Sequence, residues 1–280
     1  MTFGRRLAAA MEEHGPLCVG IDPHPSLLDS WGLQDDVEGL RRFALTVLEG
    51  VGGRVAAVKP QAAFFERHGS RGVAVLEEVI AAGRDTGTLV IVDAKRGDIG
   101  STMAAYADAF LRDGSPLAGD ALTVSPYLGF GSLDPAVELA LATGRGLFVL
   151  CLTSNSEGQE VQHACTSDGV SVAALMASRA ATLNVDASPL GSIGLVVGAT
   201  VGDAAERTGV ELAAVNGPLL APGVGAQGAG PRELARVFGA ARRQVLASSS
   251  RGVLAAGPDV LALRAAARAA ADEAATALAV

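Results

Sequence analysis

Four charged side chains directly follow an apolar run in the segment VDAKRGDIGST, residues 92–102. They are Asp93, Lys95, Arg96 and Asp98. Because a charged group is costly to bury, charges at the end of a buried strand must pair with one another or take part in chemistry. Asp93 and Lys95 are two residues apart and therefore point to the same side of a strand. A carboxylate and an ammonium group fixed together in this way can stabilise developing charge and transfer a proton.

The elements that would position these charges are short apolar runs that alternate with amphipathic stretches. Continuous apolar runs indicate strands that are covered on both faces, as in a parallel sheet. A repeat of about 25 to 45 residues fits βα units, and about eight units predict one (β/α)8 TIM barrel domain over residues 1–280. An N-terminal helix or arm is expected before the first run. The runs span residues 17–22, 55–60, 89–95, 121–126, 146–152, 193–200, 218–224 and 244–250.

Polar residues fall at the C-terminal ends of these predicted strands. In a barrel those ends meet on one face, where active sites are found. The residues expected to converge there are Asp22, Lys59, Asp93, Lys95, Ser125, Thr153 and Thr200. Lys59, Asp93, Lys95 and Asp98 would then form an alternating array of cations and carboxylates. The alternative is a structural salt-bridge network, which is a common explanation for an isolated pair of charges.

Two glycine-rich segments and one polar loop complete the predicted site. The segments APGVGAQGAG, residues 221–230, and SSSRGVL, residues 248–254, follow the seventh and eighth runs, where barrels often bind phosphate. Arg251 offers a bidentate charged contact and Gln227 a neutral one. The loop LTSNSEGQEVQ, residues 152–162, brings Thr153, Ser154 and Asn155 to hydrogen-bond a polar ring. The alternative interpretations are plain turns for the glycine-rich segments and a solvated loop for residues 152–162.

The composition excludes several classes of function. A formal net charge of -8 and a pI of about 5.0 argue against a general binder of nucleic acid or anionic membranes. No apolar run approaches the roughly 18 residues needed to span a membrane. The sequence has no CxxC motif, and its three cysteines cannot all pair. Its four histidines are scattered and indicate no metal site. We therefore expect a soluble cytoplasmic protein without a metal or cofactor.

The motifs together resemble the orotidine 5′-phosphate decarboxylase family, and most closely its longer bacterial subgroup. The family signature Asp-x-Lys-x-x-Asp corresponds to Asp93, Lys95 and Asp98. The resemblance extends from about residue 16 to 254 and implies a TIM barrel that converts orotidine 5′-monophosphate to UMP without a cofactor. Its other segments are VGIDPHPS (19–26), VKPQAAFFERHG (58–69), LTSNSEG (152–158), APGVGAQG (221–228) and SSSRGV (248–253).

This resemblance implies a role for each charged residue. Asp22 and Lys59 are expected to contact the ribose, and Lys59 also anchors the charged array. Asp93 would face the substrate carboxylate, and Lys95 would protonate C6 of the pyrimidine after CO2 leaves. Asp98 and Thr102 would reach into the site of a neighbouring subunit, which implies a homodimer.

The resemblance also implies contacts to the pyrimidine and to the phosphate. Ser154 is expected to bind the pyrimidine amide, with the adjacent Thr153 as the alternative. The residues expected at the phosphate are Pro222, Gly225, Gln227, Gly228, Arg251 and Gly252.

Three other functions compete with this interpretation. A related barrel decarboxylase or aldolase would act on a sugar phosphate, generally with Mg2+. A Schiff-base aldolase would use Lys95 as its nucleophile, although flanking acids disfavour an uncharged lysine. A non-catalytic barrel that binds a phosphorylated ligand would have no need of a buried charged array.

Overall fold

Eight parallel strands form a closed barrel in which each strand pairs with the next along the chain and the last pairs with the first. The structure is a computed structural model and describes residues 1–224 and 228–279. Each predicted apolar run overlaps one strand, and the predicted (β/α)8 barrel is confirmed. The strands are β1 Leu17–Ile21, β2 Ala57–Pro60, β3 Leu89–Arg96, β4 Ala121–Val124, β5 Gly146–Leu152, β6 Ile193–Val197, β7 Leu219–Pro222 and β8 Val245–Ser249.

Helices surround the barrel, and one precedes it, as predicted. No helix among the described residues is both long and apolar enough to cross a membrane. The α-helices are α1 Phe3–His14, α2 Pro25–Ser30, α3 Val37–Val51, α4 Ala62–Glu66, α5 Gly69–Asp85, α6 Gly100–Leu111, α7 Asp134–Ala142, α8 Gln159–Gln162, α9 Val172–Leu183, α10 Ala204–Thr208, α11 Pro231–Phe238, α12 Arg251–Leu254 and α13 Val260–Leu278. Short 3-10 helices span Phe130–Leu133, Ser156–Gly158, Leu212–Val215 and Gly239–Gln244.

The strands are apolar throughout because both of their faces are covered. Along β3, Val90 and Val92 point outward into the large core between strands and helices. Leu89 and Ile91 alternate with them and point inward to a smaller core inside the barrel. Asp93 continues the inward two-residue period, so the charged residues extend the barrel interior towards its C-terminal mouth.

Helix α1 closes the opposite, N-terminal end of the barrel. Its residues Phe3 and Leu7 are fully buried and belong to the inner core. The ring of Phe3 packs edge-on against that of Phe148, with 5.9 Å between the centroids. Thr2 caps the helix by accepting a hydrogen bond from the amide of Arg5. With one end closed in this way, the other end is where the barrel interior opens to a ligand.

A bulge interrupts the pairing of β3 with β4. Val92 pairs with Leu122, but the next pair joins Arg96 to Val124. Residues 93–95 of β3 therefore lie opposite the single β4 residue Thr123. Lys95, inside this bulge, has a φ of 47°, in the left-handed region that residues with a Cβ seldom adopt. Bulges of this kind redirect side chains and are frequent beside active sites.

Candidate active site

A cavity of about 480 Å³ opens at the C-terminal ends of the strands. This volume falls within the range of sites that bind small molecules. Leu150, Val196 and Leu220 contribute apolar surface to it, and the other lining residues are mostly polar. Every strand, or the turn that directly follows it, contributes to the lining. The polar contributors along the chain include Asp22, Lys59, Asp93, Lys95, Thr123, Thr153, Ser154 and Ser248.

Asp93 is the centre of the charged array. Its Oδ2 accepts hydrogen bonds from Nζ of Lys59 at 2.7 Å and from Nε2 of Gln61 at 3.1 Å. Its Oδ1 accepts from Nζ of Lys95 at 2.5 Å and from Oγ1 of Thr123 at 2.9 Å. Each carboxylate oxygen therefore has one cationic and one neutral donor. This arrangement fixes the orientation of the carboxylate and satisfies it without a ligand.

The neighbouring charges decide the protonation of the buried pair. Burial alone would lower the pKa of the Lys59 ammonium, but Asp93 and Asp22 outweigh burial and raise that pKa above its ordinary value. Burial alone would raise the pKa of the Asp93 carboxyl, but Lys59 and Lys95 hold that pKa well below its ordinary range. Both groups are therefore charged at neutral pH.

The sequence contains only two lysines, Lys59 and Lys95, and both bind the same carboxylate. The nearby Arg96 takes no part in the array. Its guanidinium pairs with Glu66 and lies 5.6 Å from the ring centroid of Tyr106. The segment of residues 92–102 therefore combines two uses of charge. Arg96 makes a structural ion pair outside the cavity, whereas Asp93 and Lys95 line it.

Asp22, at the end of β1, brings a second carboxylate to the cavity. Its Oδ1 is buried and has no hydrogen-bond partner among the described residues. A buried acceptor without a donor is costly, and a ligand hydroxyl would satisfy it. Asp22 also raises the pKa of Lys59, so the two residues are electrostatically linked.

The loop after β5 distinguishes Thr153 from Ser154. The Thr153 hydroxyl donates to Oδ1 of Asn155 at 2.7 Å and accepts from Nε2 of Gln162 at 2.7 Å. The Thr153 amide donates to Oε1 of Gln162. Ser154 also lines the cavity, and its hydroxyl bonds to no other described residue. Ser154 is thus the residue whose hydroxyl is available to a ligand.

The two glycine-rich segments both contribute described residues to the same mouth. Pro222, Arg251 and Gly252 line the cavity, and Arg251 is exposed. Gly228 packs against the loop backbone so closely that a Cβ there would lie 1.8 Å from the carbonyl oxygen of Gly223. The predicted phosphate contacts Gly225 and Gln227 lie outside the described residues.

Comparisons with known proteins agree with this geometry. A profile of the family described as "Orotidine 5'-phosphate decarboxylase / HUMPS family" matches residues 15–266. The chain belongs to this family. The resemblance drawn from the sequence motifs is thereby confirmed, as is the predicted enzyme class, an orotidine 5′-phosphate decarboxylase and hence a carbon–carbon lyase.

Both sequence and structural relatives support membership in the orotidine 5′-phosphate decarboxylase family. The orotidine 5′-phosphate decarboxylase of Streptomyces coelicolor is 63% identical over 95% of this chain and 94% of the relative. That of Salinispora tropica is 64% identical over the same shares. Among solved structures, the chain of Leishmania donovani OMP decarboxylase is 30% identical to this one, and the two superpose with a TM-score of 0.74 over 99% of each chain.

Several residues that the sequence singles out lie outside the cavity of their own chain. Asp98 is half-buried, and its Oδ1 accepts a hydrogen bond from the amide of Ile99. Thr102 is exposed on the first turn of α6. The predicted convergence of Ser125 and Thr200 on the site is wrong, because neither residue lines the cavity. Each lies beyond the end of its strand, where the two-residue period no longer fixes the direction of a side chain, since β4 ends at Val124 and β6 at Val197.

The structure adds residues that the sequence analysis missed. Thr123 and Gln61 both donate to Asp93, and His24 lines the cavity. A signal for Gln61 exists, because it lies two residues after Lys59 and so shares its side of the chain. Thr123 lies inside an apolar run, where a threonine is also typical of an ordinary strand.

Proposed function

We propose that this enzyme decarboxylates orotidine 5′-monophosphate to UMP by cofactor-free electrostatic catalysis, with Lys95 as the proton donor to C6. The observation that carries the proposal is the buried Asp93 carboxylate held between Lys59 and Lys95 at a ligand-sized cavity. This geometry puts a fixed negative charge and a proton donor side by side. Both groups are needed where a carboxylate leaves and a carbanion forms.

The reaction breaks the bond between C6 and the substrate carboxylate. The electron pair of that bond stays on C6 while CO2 departs, and no ring carbonyl is placed to delocalise it. The Lys95 ammonium stabilises this developing charge and transfers its proton to C6, which forms the C6–H bond of UMP. Lys95 then regains a proton from solvent. Asp93 lies against the substrate carboxylate and favours its loss.

The remaining polar groups bind and orient the substrate. Asp22 accepts a hydrogen bond from a ribose hydroxyl, and Lys59 also contacts the ribose. Ser154 binds the pyrimidine amide, and the occupied hydroxyl of Thr153 supports this choice. Binding energy from the phosphate, which is far from C6, orients the ring for reaction. The proposed phosphate contacts are Pro222, Gly225, Gln227, Gly228, Arg251 and Gly252.

The homodimer belongs to the same proposal, with Asp98 and Thr102 completing the partner's site. Neither residue lines the cavity of its own chain. Large apolar side chains on the loops after β3 and β4 are exposed, namely Ile99, Tyr127 and Leu128. A second copy packed against these loops would cover these residues. Asp98 and Thr102 of each chain would then enter the cavity of the other chain.

One assay tests the proposed chemistry. Purified protein is mixed with orotidine 5′-monophosphate in EDTA, and the loss of substrate absorbance is followed. We expect rapid loss with the wild type and none with Lys95→Ala. Arg54→Ala removes an exposed cation that lies outside the cavity and should retain full activity. A folded wild type that is inactive in EDTA but decarboxylates or condenses a sugar phosphate with Mg2+ would contradict the proposal.

Mixed subunits test the shared site. Lys95→Ala and Asp98→Asn are each expected to be nearly inactive alone. A mixed dimer contains one site with wild-type Lys95 and a wild-type Asp98 from the partner. Random exchange of equal amounts should therefore restore about a quarter of wild-type activity. If mixing restores nothing although subunits exchange, Asp98 does not act across the interface.

A further inference from the structure

The bulge between β3 and β4 changes the hydrogen bonding of one backbone amide, which a side chain of β4 accepts. Residues 93–95 face only Thr123 across the ladder, so the backbone of Lys95 departs from regular strand pairing. A bulged residue is left without its regular partner. The amide of Lys95 donates instead to Oγ1 of Thr123 at 3.0 Å.

The Thr123 hydroxyl both accepts and donates a hydrogen bond. It accepts from the Lys95 amide and donates to Oδ1 of Asp93 at 2.9 Å. The same Oδ1 accepts from the Lys95 ammonium at 2.5 Å. Thr123 is 1% exposed, so no water can replace it at low cost. One buried hydroxyl thus links the backbone of Lys95 to the carboxylate that holds its side chain.

We propose that Thr123 is the positioning residue for Lys95. It stabilises the left-handed backbone of Lys95 and sets the direction of its ammonium group towards the cavity. This inference rests on the proposed function, in which Lys95 delivers a proton to C6. Proton transfer requires close and aligned atoms, and small displacements reduce its rate strongly. Gln61 contacts the other oxygen of Asp93 and makes no hydrogen bond to Lys95, so it does not share this role.

The experiment compares two substitutions at Thr123. Thr123→Val keeps the shape and removes the hydroxyl, whereas Thr123→Ser keeps the hydroxyl. We expect Thr123→Val to lower kcat by about 10- to 100-fold with little change in KM, and Thr123→Ser to stay near the wild type. If Thr123→Val does not fold, Thr123→Ala provides the variant without a hydroxyl.

Thr88→Val is the matched control. Thr88 is also buried, and it lies directly before β3 at the closed end of the barrel. Its Oγ1 accepts a hydrogen bond from the amide of Gly53 at 2.6 Å. We expect this variant to lose stability and to keep wild-type kcat. Hydrogen exchange of the Lys95 amide should be faster in Thr123→Val and unchanged in Thr88→Val.

Three results would overturn the inference. They are wild-type kcat in Thr123→Val, a Thr123→Ser variant as slow as Thr123→Val, and unaltered exchange of the Lys95 amide. An inactive wild-type protein would instead contradict the proposed function. The exchange measurement still decides the role of Thr123 in that case, because it needs no turnover.

Discussion

The two sides of the cavity differ in how far their polar groups are already satisfied. On the side of β2, β3 and β4, Asp93 is buried and both of its oxygens are occupied by donors from the chain. On the side of the later strands, Ser154 and Arg251 are exposed, and their side chains bond to no other described residue. The first side is assembled before a ligand arrives, and the second is open to one. Preorganised charge lowers the cost of reorganisation during reaction, whereas open groups supply binding energy.

The largest effect should follow from a change on the assembled side. Asp93→Asn removes the charge that we propose to face the substrate carboxylate, and it leaves two ammonium groups without their counterion. We expect kcat to fall by about 10⁴-fold, with a much smaller change in KM. Steady-state absorbance assays measure both constants, with the exposed Asp134→Asn as control. A kcat within tenfold of the wild type would show that the array does not act in the chemical step.

The free energy of unfolding provides a second test of the charge pairing on the assembled side. Lys59→Met leaves the buried Asp93 carboxylate without its closest buried cation and should lower the free energy of unfolding by about 3–5 kcal/mol. The double variant Lys59→Met/Asp93→Asn removes both charges and should recover part of this loss. Urea unfolding measures four proteins, namely the wild type, the single variants Lys59→Met and Asp93→Asn, and the double variant. Strictly additive losses would mean that the two charges are not coupled.

Arg251→Ala should produce a smaller effect on the open side. We expect kcat/KM for orotidine 5′-monophosphate to fall by about 100-fold, because a charged contact to the phosphate is lost. With orotidine, which lacks the phosphate, the wild type and the variant should differ little. Arg243→Ala, which is exposed and outside the cavity, is the control. An equal loss with both substrates would place Arg251 away from the phosphate.

The smallest effect concerns pH. The folded pKa of Lys59 lies above its unfolded value, so its stabilisation is complete below the unfolded pKa and is lost only as pH rises through the folded pKa. The folded pKa of Asp93 lies below its unfolded value, so its stabilisation is present above the unfolded pKa and is lost only in strong acid. Between about pH 5 and 9, the stability difference between wild type and the double variant should be constant. A slope in that difference would place one of the two pKa values inside this window.

The sequence predicts the barrel well because its strands are buried on both faces and therefore apolar without interruption. The same rule places Lys59, Asp93 and Lys95, which continue inward-facing positions at strand ends. It fails for Ser125 and Thr200, because hydropathy does not fix the direction in which the chain turns beyond the last residue of a strand. The single-domain organisation, the dimer and the cytoplasmic location stay predictions.

The bulge could not be predicted because it depends on the register between two strands. Neither β3 nor β4 contains a residue type that marks a bulge at this point. Thr123 acquires its contacts only because Val92 and Arg96 pair with residues two apart on β4. Local sequence patterns describe one strand at a time, and register belongs to a pair.

The shortage of lysines has a practical consequence for handling the protein. Lys95 has 44% of its side chain exposed and Lys59 has 7%. Amine-reactive dyes and cross-linkers will therefore modify native protein at Lys95 or at the α-amino terminus, and protection of Lys95 by a ligand will report occupancy of the cavity. Amine coupling to a biosensor surface would block the very site under study. Attachment through the exposed Cys165 avoids both lysines.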